Sequence, residues 1–286
     1  MAIEETIACV KSIDNNINGN KKIIVVDNAS PNASGKELKK IYSESETVEV
    51  LLSKENLGFA KGNNIGYKYA VDKYHPDFIV VMNNDMEIKQ KDFISCIEKS
   101  YEKHHFAIMG PDVYSTKMEY HQNPQTRKLM NLEELKKSYN KLKMKEKLLF
   151  VVHLKWYIKH FLKLDIKDEA KEKERKMSRP FINEIKENIM LHGSCYVFSD
   201  EYMKLHKREC FYSGTFMYME AEILYYLAKK NNEKIVYDPS MKVFHHEDIS
   251  TNATFKRYQK SVFSVKCLKQ STKAFIDLIE NGGNIK

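Results

Sequence analysis

Ile23-Ile24-Val25-Val26-Asp27-Asn28-Ala29-Ser30 is the stretch on which the reading of the fold turns. Four β-branched residues with no charge among them read as a strand buried on both faces, and short polar side chains take over where it stops. The pattern returns at Phe78-Ile79-Val80-Val81-Met82, which runs into Asn83-Asn84-Asp85, and more weakly at Val48 to Leu52. Helical periodicity fills the intervals at Ser34 to Ser43, Gly58 to Tyr74 and Lys91 to Lys103. Ser34 reads as the N-cap of the first of these, with Glu37 completing a capping box. Strands alternating with helices predict an α/β domain built on a mostly parallel sheet with crossover helices.

Working outward, Ile3 to Ile13 reads as a helix ahead of the strand at Ile23. A doubly wound domain normally opens on a strand, so a first strand is expected and is missing here. The second half begins after Ile108 to Val113. Residues 131–176 are Lys-rich and helical in pattern, Leu191 to Ser199 reads as a strand and Tyr218 to Lys230 as a helix. Lys234 to Tyr237 and Met241 to Phe244 read as two short closing strands. The expectation is a single domain over 1–286: a first half at 1–113, a basic helical insertion at 114–190, and a second half with a C-terminal helix at 191–286.

Composition narrows the class. The chain has 286 residues, 42% hydrophobic and 30% charged, enough to bury a full core. No apolar run approaches the roughly 18 residues of a membrane-spanning helix, and no secretory signal is legible at the N-terminus. Five scattered cysteines without a CxxC pair argue against a disulfide framework or a zinc cluster and for a reducing cytosol. Net charge is +8, and residues 136–176 alone hold 14 Lys and Arg against 6 Asp and Glu, which is the whole excess. A neutral body with one basic stretch predicts a local anionic contact, and the shortage of Arg in it argues against nucleic acid.

Open α/β sheets place ligands beyond the carboxyl ends of their strands. Asp27, Asn28 and Ser30 stand at such an end and read either as ligands or as turn-formers. Asn56, Gly58, Phe59, Gly62, Asn63 and Asn64 follow the second strand and open a helix, where backbone N–H groups and amides can face a diphosphate. The loop lacks both the P-loop ending and the dinucleotide glycine spacing. Asn83 and Asp85 end the third strand, and a carboxylate there suits a divalent cation bridging phosphates, or else a plain turn. Glu220 and Glu222 lie at a helix start among apolar groups, where burial raises a carboxyl pKa and the helix dipole opposes the rise. His245 and His246 follow a strand, so at most one enters a site.

Taken in order, IIVVDNASPN (23–32), ENLGFAKGNNIGYKYA (55–70), FIVVMNNDMEI (78–88), LHGSCYVFS (191–199), FMYMEAEIL (216–224) and VFHHEDIST (243–251) resemble a family 2 glycosyltransferase with the GT-A type nucleotide-diphospho-sugar fold, of the rhamnosyltransferase and capsular-polysaccharide subgroup. The resemblance implies a nucleotide-sugar donor and a saccharide acceptor, lipid-linked in such pathways, at the inner face of the cell membrane. It implies that Asp27 contacts the nucleobase, that the Asn56 to Asn64 loop surrounds the donor, and that Asp85, with His245, holds Mg²⁺ or Mn²⁺ on the diphosphate. A carboxylate of the Glu220 helix would then deprotonate the acceptor in an inverting transfer. Two departures stand out. The family's first strand, usually ending Thr-Tyr-Asn, is missing before Ala2, and Ala221 interrupts the acidic motif. Both keep open a non-catalytic nucleotide-sugar-binding or scaffold protein of the same fold, and the spacing leaves the base open between Glu222 and Glu220.

One segment remains outside the resemblance. Within 147–164, Lys155, Lys159 and Lys163 recur every four residues beside an apolar and aromatic remainder, which suits a helix lying on an anionic bilayer or one packed in the core with a solvated Lys face.

Overall fold

Strands form where the apolar runs predict them, and their burial sorts central from peripheral. The computed structural model describes residues 3–149, 151, 154, 181–246 and 257–283. Ile23–Asp27 (β1) pairs in parallel with Val48–Leu52 (β2), Ile23 opposite Val48. A second, seven-stranded sheet has the order Phe78–Met82 (β3), Cys195–Ser199 (β8), Ile108–Ser115 (β5), Ile235–His245 (β9), Met86–Glu87 (β4), with Tyr120–His121 (β6) on β5 and Lys186–Glu187 (β7) on β9. All five residues of β8 are buried, as a strand with neighbours on both edges requires.

The sheet is mixed. β1 with β2 and β5 with β9 are parallel, as the alternating pattern predicts, whereas β8 runs antiparallel to both β3 and β5. β8 follows the long 114–190 segment, which returns the chain to the sheet without fixing the direction of the strand. The two short closing strands prove to be one, β9, whose register against β5 shifts between Pro111 and Asp112. Pro239 lies in that part of β9 and cannot donate to a ladder, which accounts for the gap in the sequence pattern.

Helices Ile3–Asn16 (α1), Ser34–Ile41 (α2), Gly58–Tyr74 (α3) and Phe93–His104 (α4) flank the strands of the first half. Ser34 is not a cap. Ala33 occupies that position in the left-handed region at φ 58°, and Ser34 is the buried first residue of α2. The reason lies one residue on: a Cβ on Gly35 would sit 2.3 Å from Cγ of Asp27, so the turn delivers Gly35 against that carboxylate with Ser34 already inside the helix.

Residues 114–190 are less of an appendage than their charge implies. Their β6 and β7 extend the sheet, and Leu132–Lys147 (α5), capped by a capping box between Asn131 and Glu134, packs against Arg257–Glu280 (α8). Leu135 of α5 and Phe275 of α8 share a core with Ile223 and Leu227 of Glu220–Lys230 (α7). Between α3, the sheet and Asp200–Leu205 (α6) lies an aromatic core of Tyr67, Tyr196, Phe198, Tyr202 and Phe211. Together these cores fix the N-terminus of α7 over the sheet.

Candidate active site

The loop that opens α3 is tied to both of its neighbours. Asn28, just past β1, donates to the Gly58 carbonyl (2.8 Å) and accepts from the Leu57 N–H (2.9 Å). Gly58 is left-handed at φ +80°, and a Cβ there would meet the Phe216 carbonyl oxygen at 2.1 Å. That approach lets the Phe59 N–H donate to the same carbonyl at 2.6 Å. Gly62 gives way to Asn28 similarly, since its Cβ would be 2.9 Å from Nδ2. Asn63 donates to the Phe59 carbonyl within its own helix. Buried Asn64 accepts from the N–H groups of Cys210 and Phe211 and donates to the Phe211 carbonyl and to Ser213. The amides expected to surround a donor therefore do their first work on the protein, joining the β1 end to the 210–216 segment that leads into α7.

Asp27 is different. It is buried, its Oδ2 accepts from the Ser30 N–H at 3.2 Å, and its Oδ1 has no hydrogen-bond partner among the described residues. A buried carboxylate oxygen left unpaired costs free energy unless a ligand donates to it. Ser30 thus contributes its backbone, and Gly35 supplies the space.

Asp85 and His245 come together because β4 pairs antiparallel with the end of β9, Met86 opposite His245, and the His246 N–H donates to the Asp85 carbonyl. Oδ1 of Asp85 lies 3.3 Å from Nε2 of His245, is shut off from solvent and makes no hydrogen bond among the described residues. His246 points the other way, exposed and 3.2 Å from Glu87, so alternation along the strand sends one histidine inward as expected. Asn83 is held by its N–H, which donates to Ser194, and Asn84 turns away to Thr6 of α1. Among the described residues no group of three or more His, Cys, Asp or Glu is arranged for a metal. An unpaired carboxylate oxygen facing an imidazole nitrogen nevertheless fits a divalent cation that takes its other ligands from substrate phosphates and water.

Both glutamates of α7 are buried, Glu220 at 9% and Glu222 at 7% exposure. They differ in company. Glu222 Oε1 lies 2.6 Å from Nη2 of Arg127. Glu220 Oε1 accepts a hydrogen bond from the Thr215 hydroxyl at 3.0 Å and pairs with no cation among the described residues. Burial pushes its carboxyl up to about 7, and Glu222 adds to the rise against the hydrogen bonds from Thr215 and the backbone. The turn before the helix is strained, with Tyr218 and Met219 both left-handed at φ 75° and 70°. Such strain persists where the surroundings over-determine it. Here Tyr218 hydrogen-bonds Ser264 of α8, and Ser271 donates to the Met217 carbonyl.

Residues 2–163, more than half of the chain, match Glycosyl transferase family 2. The chain belongs to that family. A curated relative is a low-salt glycan biosynthesis hexosyltransferase, Agl10, of Haloferax volcanii, 28% identical over 104 residues, which are 36% of this chain and 32% of the relative. Solved structures with a similar course include S. aureus TarS 1–349, whose complex with UDP-GlcNAc matches at a TM-score of 0.48 and 11% identity over 91% of this chain and 60% of that one. GalNAc-T7 with UDP, GalNAc and Mn²⁺ matches at 0.48 and 11% over 86% and 41%. The chain thus spans about a third of its curated relative and less than two thirds of these structures.

For a family 2 glycosyltransferase, four residues at or beside this site carry no sequence signal. Arg127 is a lone arginine in an irregular stretch, and Gln122 is an amide in a two-strand ribbon. Thr215 and Gly35 are equally silent, because each matters only through the carboxylate it touches.

Proposed function

We propose that the chain is an inverting glycosyltransferase that moves a sugar from a nucleotide-diphospho-sugar to a saccharide hydroxyl. The observation that carries this reading is the pair of unlike carboxylates on α7, one bound to a guanidinium and one buried with its pKa near neutrality. Glu220 is assigned as the base. With Arg127 occupying Glu222, Glu220 retains a free lone pair, and a pKa near the working pH suits proton transfer. The acceptor O–H gives its proton to Glu220 as the oxygen attacks the anomeric carbon. The bond from that carbon to the diphosphate breaks on the opposite face, and the nucleoside diphosphate leaves. Thr215 holds the carboxylate in place, and the Glu222–Arg127 pair forms the acceptor-side wall.

On the donor side, the unpaired Oδ1 of Asp27 would accept an N–H of the nucleobase, while the 56–64 loop turns its backbone and the α3 N-terminus toward the diphosphate. Asp85 and His245 would hold Mg²⁺ or Mn²⁺, which when bound supplies positive charge to the departing diphosphate. A lipid-linked acceptor of surface or capsular polysaccharide type, reached from an anionic membrane surface, is the finer form of the proposal. It is supported by the basic 136–176 segment and by exposed Met144, Leu148, Val151 and Leu154 within it. Incubating the protein and Mn²⁺ with a panel of UDP-, dTDP- and GDP-sugars and saccharide acceptors tests the activity. Donor binding without any transfer would replace the proposal with a binding or scaffold role.

A further inference from the structure

Gln122 is buried at the end of the β6 ribbon, and the proposed reaction gives it no part. Its Oε1 lies 2.7 Å from Nδ1 of His245, and its Nε2 donates to the Tyr120 hydroxyl at 3.4 Å. The amide is therefore oriented with oxygen toward the imidazole, and since that oxygen can only accept, Nδ1 must carry the hydrogen. In the neutral ring Nε2 is then the bare nitrogen. It is the atom 3.3 Å from Asp85 Oδ1, and the two share no hydrogen bond. Two lone pairs facing each other repel in the absence of a cation, and no other imidazole tautomer satisfies Gln122.

From this we infer that Gln122 is a positioning residue, which fixes the tautomer and the ring orientation of His245 so that Nε2 is presented, with Asp85, to a divalent cation. The inference rests on the proposed metal site. The position of Gln122 on the scaffold supports the role. Its own N–H donates to the Val113 carbonyl at 2.7 Å. The next residue, Asn123, donates to the Pro111 carbonyl and accepts from the His192 N–H, so the ribbon is pinned on both sides of the amide. Ligating histidines are commonly held this way through their second nitrogen, at a cost of roughly 10- to 100-fold in metal affinity when the partner is lost.

The test uses ¹⁵N-histidine NMR of the metal-free protein and Mn²⁺ titration followed by the loss of free-ion paramagnetic resonance signal. Wild type is expected to show His245 with hydrogen on Nδ1. Gln122→Leu should lose that preference and bind Mn²⁺ at least about tenfold more weakly, whereas Gln122→Glu, which still accepts from Nδ1, should keep both. Asp85→Asn separates the inference from the reading beneath it. If Asp85→Asn loses Mn²⁺ while a folded Gln122→Leu keeps wild-type affinity and tautomer, the role of Gln122 is overturned and the metal site stands. Equal weakening in Gln122→Glu and Gln122→Leu would also overturn it, because the hydrogen-bond acceptor would then be irrelevant. A wild-type protein that binds no Mn²⁺ removes the metal site itself, and with it the positioning role, whatever the tautomer.

Discussion

A carboxyl group with a pKa of about 7 has opposite consequences for catalysis and for stability, and Glu220 should show both. As a base it must be ionised, so kcat is expected to rise with pH and level off above about 7, and Glu220→Gln should lose turnover by two orders of magnitude or more while donor affinity stays the same. The folded pKa lies above the unfolded value of 4.5, so the folded protein binds the extra proton between these values and stability falls as pH rises through the window. Glu220→Gln should therefore unfold at a higher temperature than wild type at pH 8 and at a similar one at pH 4, a gain of up to roughly 3 kcal/mol. If turnover survives in Glu220→Gln and vanishes in Glu222→Gln, the base is the residue bound to Arg127. A second residue-scale prediction concerns Asp85→Asn, which should weaken Mn²⁺-dependent donor binding about 100-fold by calorimetry with the fold intact. Asp27, Asp85 and His245 were legible in the sequence because each is a polar residue stranded at the end of an apolar strand. Arg127 and Gln122 were not, since their meaning comes entirely from partners far away along the chain.

Among the elements, the loop that opens α3 couples the two halves of the site. Its glycines read as phosphate-binding from sequence, yet the structure gives Gly58 a second reason to be glycine, the 2.1 Å approach to Phe216. Gly58→Ala should combine a left-handed alanine with that collision, destabilising the protein by about 1–3 kcal/mol in urea unfolding. It should also raise the donor KM, because the Phe59 N–H to Phe216 bond that aligns the loop with α7 is lost. A variant with wild-type stability and kinetics would show that the loop and the 210–216 segment are independent. Elements with strong periodicity, such as α3 and β3, were read from the chain within a residue or so. The capping of α2 by Ala33 in place of Ser34 and the fusion of the closing strands into β9 were hidden, since the first depends on the packing of Gly35 against Asp27 and the second on a proline tolerated at a register shift.

At the scale of the whole molecule, alternation predicted an α/β sheet correctly but could not foresee that β8 runs antiparallel, because strand direction follows from the route of the chain and leaves no mark in local pattern. Charge is the property that remains unspent by the fold. Lys141, Lys143, Lys145 and Lys147 are exposed around Met144, and Leu148, Val151 and Leu154 follow at 49, 44 and 52% exposure. No helix among the described residues is long and apolar enough to cross a membrane; Lys155, Lys159 and Lys163 lie outside those residues. Apolar side chains exposed beside a run of lysines match a surface that rests on anionic headgroups, with each Lys near the bilayer adding about 1 kcal/mol and salt weakening the sum. The protein is accordingly expected to co-sediment with phosphatidylglycerol vesicles at low salt, to be released as salt rises, and to ignore phosphatidylcholine vesicles. Leu148→Ser, Val151→Ser and Leu154→Ser together should reduce binding severalfold without lowering activity on a soluble acceptor, since these side chains are exposed. Binding that is indifferent to lipid charge, to salt and to these substitutions would show that the apolar stripe and the lysines serve the fold or another partner, and the acceptor would then have to be met in solution.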